Sequence, residues 1–311
     1  MKRVIRNVAA SVRERLLNRA RTEGEEFNLV LRRYFFERFL YRLGESSVSE
    51  RFILKGAMLL QLWAEQPYRA TIDLDLLRKG DTNRDSLTRD LREVMRAPVR
   101  DDDGVVFDPD SIAVDDIRIE DEYSGVRVHF LAHLGTVRQL LQVDIGFGDS
   151  AWPPPQRADY RSLLGSTAPK ILTYARETVI AEKLEAMVLV GIRNSRIKDF
   201  FDVHYLASNF PFEGTVLAEA IRRTFRRRKT AIPTQIPVAL TDEYWTDSRR
   251  GTQLRAFVRR ARLDIDARSV DSMLPLLRDF LWPPLESLAR GADFAQLWQP
   301  GGPWKIRRGS S

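Results

Sequence analysis

The stretch Ala70–Leu77 (ATIDLDLL) alternates with period two, and its two aspartates stand two residues apart. A strand of that pattern sends Ile72, Leu74 and Leu76 to one face and Thr71, Asp73 and Asp75 to the other. Aspartate is disfavoured in strands, and two neighbouring carboxylates on one face repel unless a cation sits between them. The chain must therefore fold so that one sheet face stays polar here. Two explanations are open: an edge strand whose polar face meets water, or a pair of ligands for a divalent ion.

The flanking segments bear on that choice. Gln139–Ile145 alternates in the same way, with Leu141, Val143 and Ile145 on one face, Asp144 on the other, and the turn-forming Gly146 and Gly148 directly after. If this strand neighbours the first, three carboxylates converge, an arrangement suited to Mg²⁺ and in-line phosphoryl transfer. Alone, Asp144 is equally an exposed strand-end residue. Upstream, Arg51–Leu54 is a short apolar run, Lys55-Gly56 a turn, and Ala57–Ala64 a helix that stops near Pro67. A glycine at that turn lets the backbone approach a phosphate, and the following helix N-terminus offers free N–H groups.

Composition narrows the available chemistry. The chain has no cysteine and three histidines (His129, His133 and His204), which leaves no disulfide, no thiolate and no zinc-ligand spacing. Carboxylates, hydroxyls, lysines and arginines remain. Apolar runs such as Ala186–Val190 are far shorter than the ~20 residues of a membrane span. Arg6, Arg13 and Glu14 interrupt any signal-like apolar stretch, so a cytoplasmic protein with no membrane partner is expected. The net charge is +7, and only eight of 50 basic residues are lysine. Arginine's planar fork suits a polyanion, although a GC-rich genome would produce the same bias.

At 311 residues, 43% hydrophobic, there is room for two domains. The first forty-odd residues are helical in pattern, with Leu31, Tyr34, Phe35 and Phe39 on an apolar face and Arg32, Arg33, Glu37 and Arg38 between them. Asn83–Met95 is helical, and strand-like stretches follow at Val105–Phe107, Val126–Leu131 and Gln139–Ile145. Trp152–Pro155 is the clearest break. Beyond residue 167 the pattern is helical throughout: Thr173–Ile192, Arg196–Ala207, Phe212–Arg228, Asp242–Ala261 and Val270–Arg290. The expected division is an N-terminal helical and α/β part over 1–166 and an α-helical domain over 167–311.

FILKGAMLLQLW (52–63), ATIDLDLL (70–77) and LLQVDIGFGD (140–149) resemble the nucleotidyltransferase fold of the polymerase-beta-like superfamily, an α/β core with a mixed sheet. AEKLEA (181–186) and RIKDFFDVHYL (196–206) resemble the later motifs of one branch, the AbiEii/AbiGii toxin family, which includes the MenT-type toxins of type IV toxin–antitoxin systems. The resemblance spans roughly residues 50–207. It implies a toxin, paired with a cognate antitoxin, that transfers nucleoside monophosphate from a nucleoside triphosphate with Mg²⁺. The implied acceptor is RNA, in characterised branches the 3′ end of tRNA, with arrest of translation. By motif, Asp73, Asp75 and Asp144 would hold metal and carry catalysis. Lys55 and Gly56 would form the phosphate turn, Thr71 would contact phosphate or be modified by the antitoxin, Lys183 would bind triphosphate, and Asp199 would be the downstream acid. The chain departs from the family after the turn, with Ala57-Met58 where a second small residue is common.

Read from physics alone, Lys183 lies at the margin of an apolar stripe (Ile180, Leu184, Met187) and suits a snorkelling surface lysine equally well. Asp199 and Asp202, with Arg196, suit a surface ion-pair cluster, and Asp199 equally suits a role positioning Lys183 or the base of the nucleotide. Arg222, Arg226 and Arg227, with Arg223, Arg228 and Lys229, form one basic cluster, and Arg249, Arg250, Arg255, Arg259 and Arg260 a second. Either fits an RNA backbone or a solvated face. Two rival functions stand beside nucleotidyl transfer: a D-x-D metal-dependent glycosyltransferase, and a catalytically inactive RNA-binding module.

Overall fold

The computed structural model describes residues 7–63, 71, 73–117, 125–261 and 268–306. The readings at Arg6, Ala64, Pro67, Ala70 and Ile72 and the tail from Arg307 lie outside them. The chain forms two compact units, one of Met1–Gly148 with Gln156–Thr173 and one of Asp149–Pro155 with Tyr174–Ser311.

The first unit contains helices α1 (Val8–Glu23) and α2 (Phe27–Glu45), strand β1 (Phe52–Lys55), α3 (Met58–Trp63), β2 (Leu74–Arg78), α4 (Arg84–Arg96) and strands β3 (Val105–Asp116), β4 (Gly125–Leu134), β5 (Val137–Phe147), β6 (Gln156–Asp159) and β7 (Lys170–Thr173). One mixed sheet runs in the order β3-β4-β5-β2-β1-β7-β6. The β3-β4-β5 stretch is an antiparallel meander, while β2 joins β5 in parallel and β1 in antiparallel fashion. Alternation sets the faces: Val126, Val128, Phe130 and Ala132 of β4 and Leu141, Val143 and Ile145 of β5 are buried. Phe39 of α2 packs on that face, its ring 5.7 Å from Phe107 and 5.2 Å from Phe130.

Helix α2 is not amphipathic in the way its pattern suggests. Arg33, Glu37, Arg38 and Arg42 are as buried as its apolar residues. Each buried charge finds a partner, as burial demands. Arg42 grips Asp103 with two bonds of 2.8 and 3.0 Å, and Glu37 pairs with Arg38 and accepts from Leu163 N (2.7 Å) and Ser162 Oγ (3.1 Å). Burial pushes the Glu37 carboxyl above its usual range, and Arg38 and these two donors oppose the rise.

The second unit contains α5 (Arg176–Val190), α6 (Ile197–Asn209), β8 (Phe212–Glu213), α7 (Gly214–Arg227), α8 (Asp242–Thr246), α9 (Ser248–Ala261), α10 (Arg268–Ala289), β9 (Gln296–Trp298) and β10 (Trp304–Ile306). Helix α5 is its centre, burying Val179, Ile180, Leu184 and Met187. Asp149–Pro155 docks on it: Trp152 N donates to Thr178 Oγ1 at 3.1 Å, and that hydroxyl donates back to Trp152 O at 2.7 Å.

Helices dominate this unit, but two departures from the periodicity occur. The expected single helix over Asp242–Ala261 breaks at Asp247, whose carboxylate accepts from Arg249 N at 2.9 Å and so starts α9 afresh. A small sheet in the order β10-β9-β8 also forms. Its strands have two or three residues, too few for alternation to register. Aromatic packing fixes them: Trp298 is buried and donates to Ala207 O at 2.7 Å, and the Trp304 ring stacks parallel to Phe280.

Candidate active site

The register of the central strands brings distant acids together. Asp75 of β2 lies opposite Asp144 of β5, Lys55 of β1 opposite Asp75, and Arg127 of β4 opposite Asp144. Paired residues present their side chains to the same face. One row across four strands therefore reads Lys55, Asp75, Asp144, Arg127: two acids side by side, with a base at each flank. Leu74, Leu76, Val143 and Ile145 are buried on the opposite face. Asp73 and Asp75 are half-buried, and Asp73 stands just before β2, where Thr71 Oγ1 donates to Asp73 O at 3.1 Å.

The turn after β1 is shaped around this row. Gly56 has φ +71°, and a Cβ built there would stand 2.0 Å from Asp75 Oδ2 and 2.7 Å from its Cβ. Only glycine allows both the left-handed backbone and that approach. The turn thus lies directly against the Asp75 carboxylate, ahead of the N-terminus of α3. Ala57 and Met58, the departure from the family pattern, are buried and complete the turn.

Asp144 is held by a residue that the sequence reading does not single out. Arg127 Nε and Nη2 bind its two oxygens at 2.9 and 2.8 Å, the two-pronged geometry that fixes a carboxylate plane. Gln142 Nε2 donates to Asp144 Oδ1 at 3.3 Å. The hydrogen bond to Asp144 raises the Arg127 guanidinium further above its usual value. Burial opposes this, and the charges of Asp144, Asp73 and Asp75 add to it. The field of all three acids thus reaches Arg127.

Among the described residues no three or more His, Cys, Asp or Glu side chains are grouped as a ready-made metal cage. Mg²⁺ does not require one: it is commonly bound by one or two carboxylates, with waters and substrate phosphates completing its shell. The hard oxygens of a registered Asp75–Asp144 pair, with a glycine cradle beside them, fit such an ion.

The second unit holds its own charged cluster. Lys183 of α5 donates to Asp199 and, at 2.8 Å, to Asp202, both on α6, and Arg196 Nε stands 2.6 Å from the other Asp199 oxygen. Both aspartates are fully buried and the Lys183 side chain is 12% exposed. This overturns a surface ion-pair cluster and a snorkelling lysine: the α5 and α6 faces that carry these residues point inward. Burial would raise the Asp199 carboxyl, but Lys183 and then Arg196 outweigh it and hold it at about 2.

Arg222, Arg226 and Arg227 are exposed on α7, where Arg222 and Arg223 pair with Glu219 and the Arg223 guanidinium stacks 4.0 Å over Trp152. The second basic cluster is not one surface. Arg250 is 3% exposed and lies 4.4 Å over the Tyr244 ring, because the turn at Asp247 rotates it inward. A cleft lined by Glu45, Ser47, Arg89, Arg92, Glu93 and Arg96 contains none of the site residues expected from the sequence.

A mixed sheet with a glycine turn between β1 and α3, and acids registered on neighbouring parallel strands, defines a nucleotidyltransferase-type α/β core. Solved structures share the fold: JHP933 of Helicobacter pylori (14% identity, TM-score 0.51, covering 86% of this chain and 97% of that one) and a candidate nucleotidyltransferase of H. pylori (15%, 0.51, 85% and 98%). No curated protein matches the chain. The family model of the AbiEii nucleotidyl transferase toxins of type IV toxin–antitoxin systems matches residues 38–282, and the chain belongs to that family. Membership implies a cognate antitoxin. Among the described residues no helix is long and apolar enough to cross a membrane.

Proposed function

We propose that this toxin transfers a nucleoside monophosphate from a nucleoside triphosphate to the 3′ end of an RNA, with tRNA as the favoured acceptor, and so blocks translation in the cytoplasm. The observation that carries this reading is the register pairing of Asp75 with Asp144, next to a turn where only Gly56 fits. Asp73, Asp75 and Asp144 would hold Mg²⁺, which when bound neutralises triphosphate charge and acidifies the acceptor hydroxyl. The Gly56 turn and the N-terminus of α3 offer backbone N–H groups to phosphate, with Lys55 at the edge of the row. Thr71, whose hydroxyl bonds Asp73 O just before β2, is the candidate to contact phosphate or to be modified by the antitoxin. Arg127 binds both Asp144 oxygens and fixes the carboxylate plane, and Asp144 is the candidate to take the proton of the acceptor hydroxyl. Lys183, fixed by Asp199 and Asp202, is the candidate cation for triphosphate, and the exposed arginines of α7 are candidates for the RNA backbone.

The glycine turn and helix ahead of the D-x-D strand, together with a third aspartate registered on the neighbouring parallel strand, favour nucleotidyl transfer over a D-x-D glycosyltransferase. Purified protein with total tRNA and Mg²⁺ should label RNA from one or more α-labelled triphosphates and from no labelled nucleotide sugar. Label from the sugar donor alone would establish the rival, and RNA binding with no transfer would establish the inactive module.

A further inference from the structure

The row of charged residues occupies one end of a much larger exposed sheet face. On β5 the residues of that face are Arg138, Leu140, Gln142 and Asp144, and their register partners on β4 are His133, Leu131, His129 and Arg127. The opposite face is buried along β4 and from Leu141 onward in β5, but here Leu140 is 56% exposed, Arg138 is exposed, and Val106 on neighbouring β3 is 64% exposed. A leucine of β5 and a valine of β3 so open to water on one sheet face, beside the charged row, ask for an occupant.

The rows are ordered. Leading away from the acids come a pair of hydrogen-bonding side chains (Gln142, His129), then an apolar pair (Leu140, Leu131), then Arg138 with His133. Six residues of antiparallel strand separate Asp144 from Arg138, about 20 Å. Only Asp144 on β4 and β5 is acidic on this face, whereas Asp108 and Asp115 border it on β3. The result is a lane with a cation at its far end, flanked by negative charge that repels phosphate from the outer edge.

We propose that this lane seats the last nucleotides of the RNA acceptor: the 3′ hydroxyl at Asp144, base edges against Gln142 and His129, a base or sugar on Leu140 and Leu131, and an upstream phosphate at Arg138. The proposal rests on the nucleotidyl-transfer reading and deepens it, naming a single-stranded acceptor end in place of a duplex. A duplex would present phosphates to both borders of the lane, including the acidic one. Bases exposed on a single strand can lie on the apolar row.

The test uses the full chain, a fluorescent single-stranded RNA with a free 3′ hydroxyl, and the variants Leu140→Glu, Arg138→Glu and Arg138→Lys. None of these side chains is buried, so each variant should fold as the parent does, as circular dichroism would verify. Leu140→Glu and Arg138→Glu should each raise the KM for RNA about tenfold with the KM for triphosphate unchanged. Arg138→Glu should also lower the salt slope of RNA binding by about one, and Arg138→Lys should restore most of both. A photo-crosslinker at position 140 should capture RNA. Unchanged KM for RNA in both charge variants, or crosslinking at 140 to the antitoxin in place of RNA, would overturn the proposal. In either case parent enzyme that still labels RNA leaves the functional reading standing. Parent enzyme that labels no RNA under any triphosphate, with no RNA captured at 140, removes both.

Discussion

Asp75 and Asp144, sixty-nine positions apart in the chain, stand directly opposite each other on neighbouring parallel strands. Two like charges in that position cost stability. The fold supplies Lys55 and Arg127 at the flanks, and the field of Asp73 and Asp75 is felt as far as Arg127. The pairing thus maintains a local concentration of negative charge that suits a divalent cation and its phosphate ligands.

Gly56→Ala should be the most damaging single-methyl change in this unit. The added Cβ meets the Asp75 carboxylate at 2.0 Å on a left-handed backbone. Chemical denaturation should show a loss of about 1–3 kcal/mol, and transfer activity should fall below detection before the protein unfolds. An alanine variant as stable and active as the parent would show that the turn relaxes freely.

Arg127→Ala should lower kcat about 10–100-fold in a folded protein, because Asp144 loses the fork that fixes its plane. Lysine should recover little, since a point charge cannot replace two parallel bonds. Steady-state kinetics with circular dichroism on the same samples would check both.

Much of this was legible in the chain, and the limits have physical causes. Alternation identified the polar faces of β2 and β5, because one face of each strand is buried. Arg127 was hidden because its importance lies in register, which alternation does not report. A signal existed: Gly135-Thr136 forms a two-residue connection in which Leu134 pairs with Val137, and counting back along that hairpin pairs 127 with 144. The burial of the charges on α2 and of the Asp199–Asp202 pair is illegible for the opposite reason. Periodicity assigns charged residues to water, and a buried ion pair has no periodicity of its own. Helix α10, with three internal prolines, still reads as helix since its apolar stripe outweighs them.

Asp199→Asn probes the second unit. With its carboxyl held at about 2 against an ordinary 3.8, Asp199 contributes stability that is present above pH 4 and lost as pH falls toward 2. The size is about 2 kcal/mol. The variant should be less stable by roughly that amount at pH 7 and lose less than the parent between pH 4 and 2, as read by urea midpoints across that range.

Arg226→Glu with Arg227→Glu should weaken RNA binding and lower its salt slope by about one per lost phosphate contact. Triphosphate binding and thermal stability should be unaffected, since both side chains are exposed. Fluorescence anisotropy at several salt concentrations would show it. Unchanged affinity and slope would make this face a solvated one.

The most direct measurement is the mass of the RNA product. Parent protein, tRNA, Mg²⁺ and each triphosphate in turn should give tRNA heavier by one or more nucleoside monophosphates at its 3′ end. Asp75→Asn and Asp144→Asn, folded by circular dichroism, should give none. A mass gain undiminished in both variants would contradict the assignment of the registered pair. No gain in the parent with any triphosphate would contradict nucleotidyl transfer to tRNA itself.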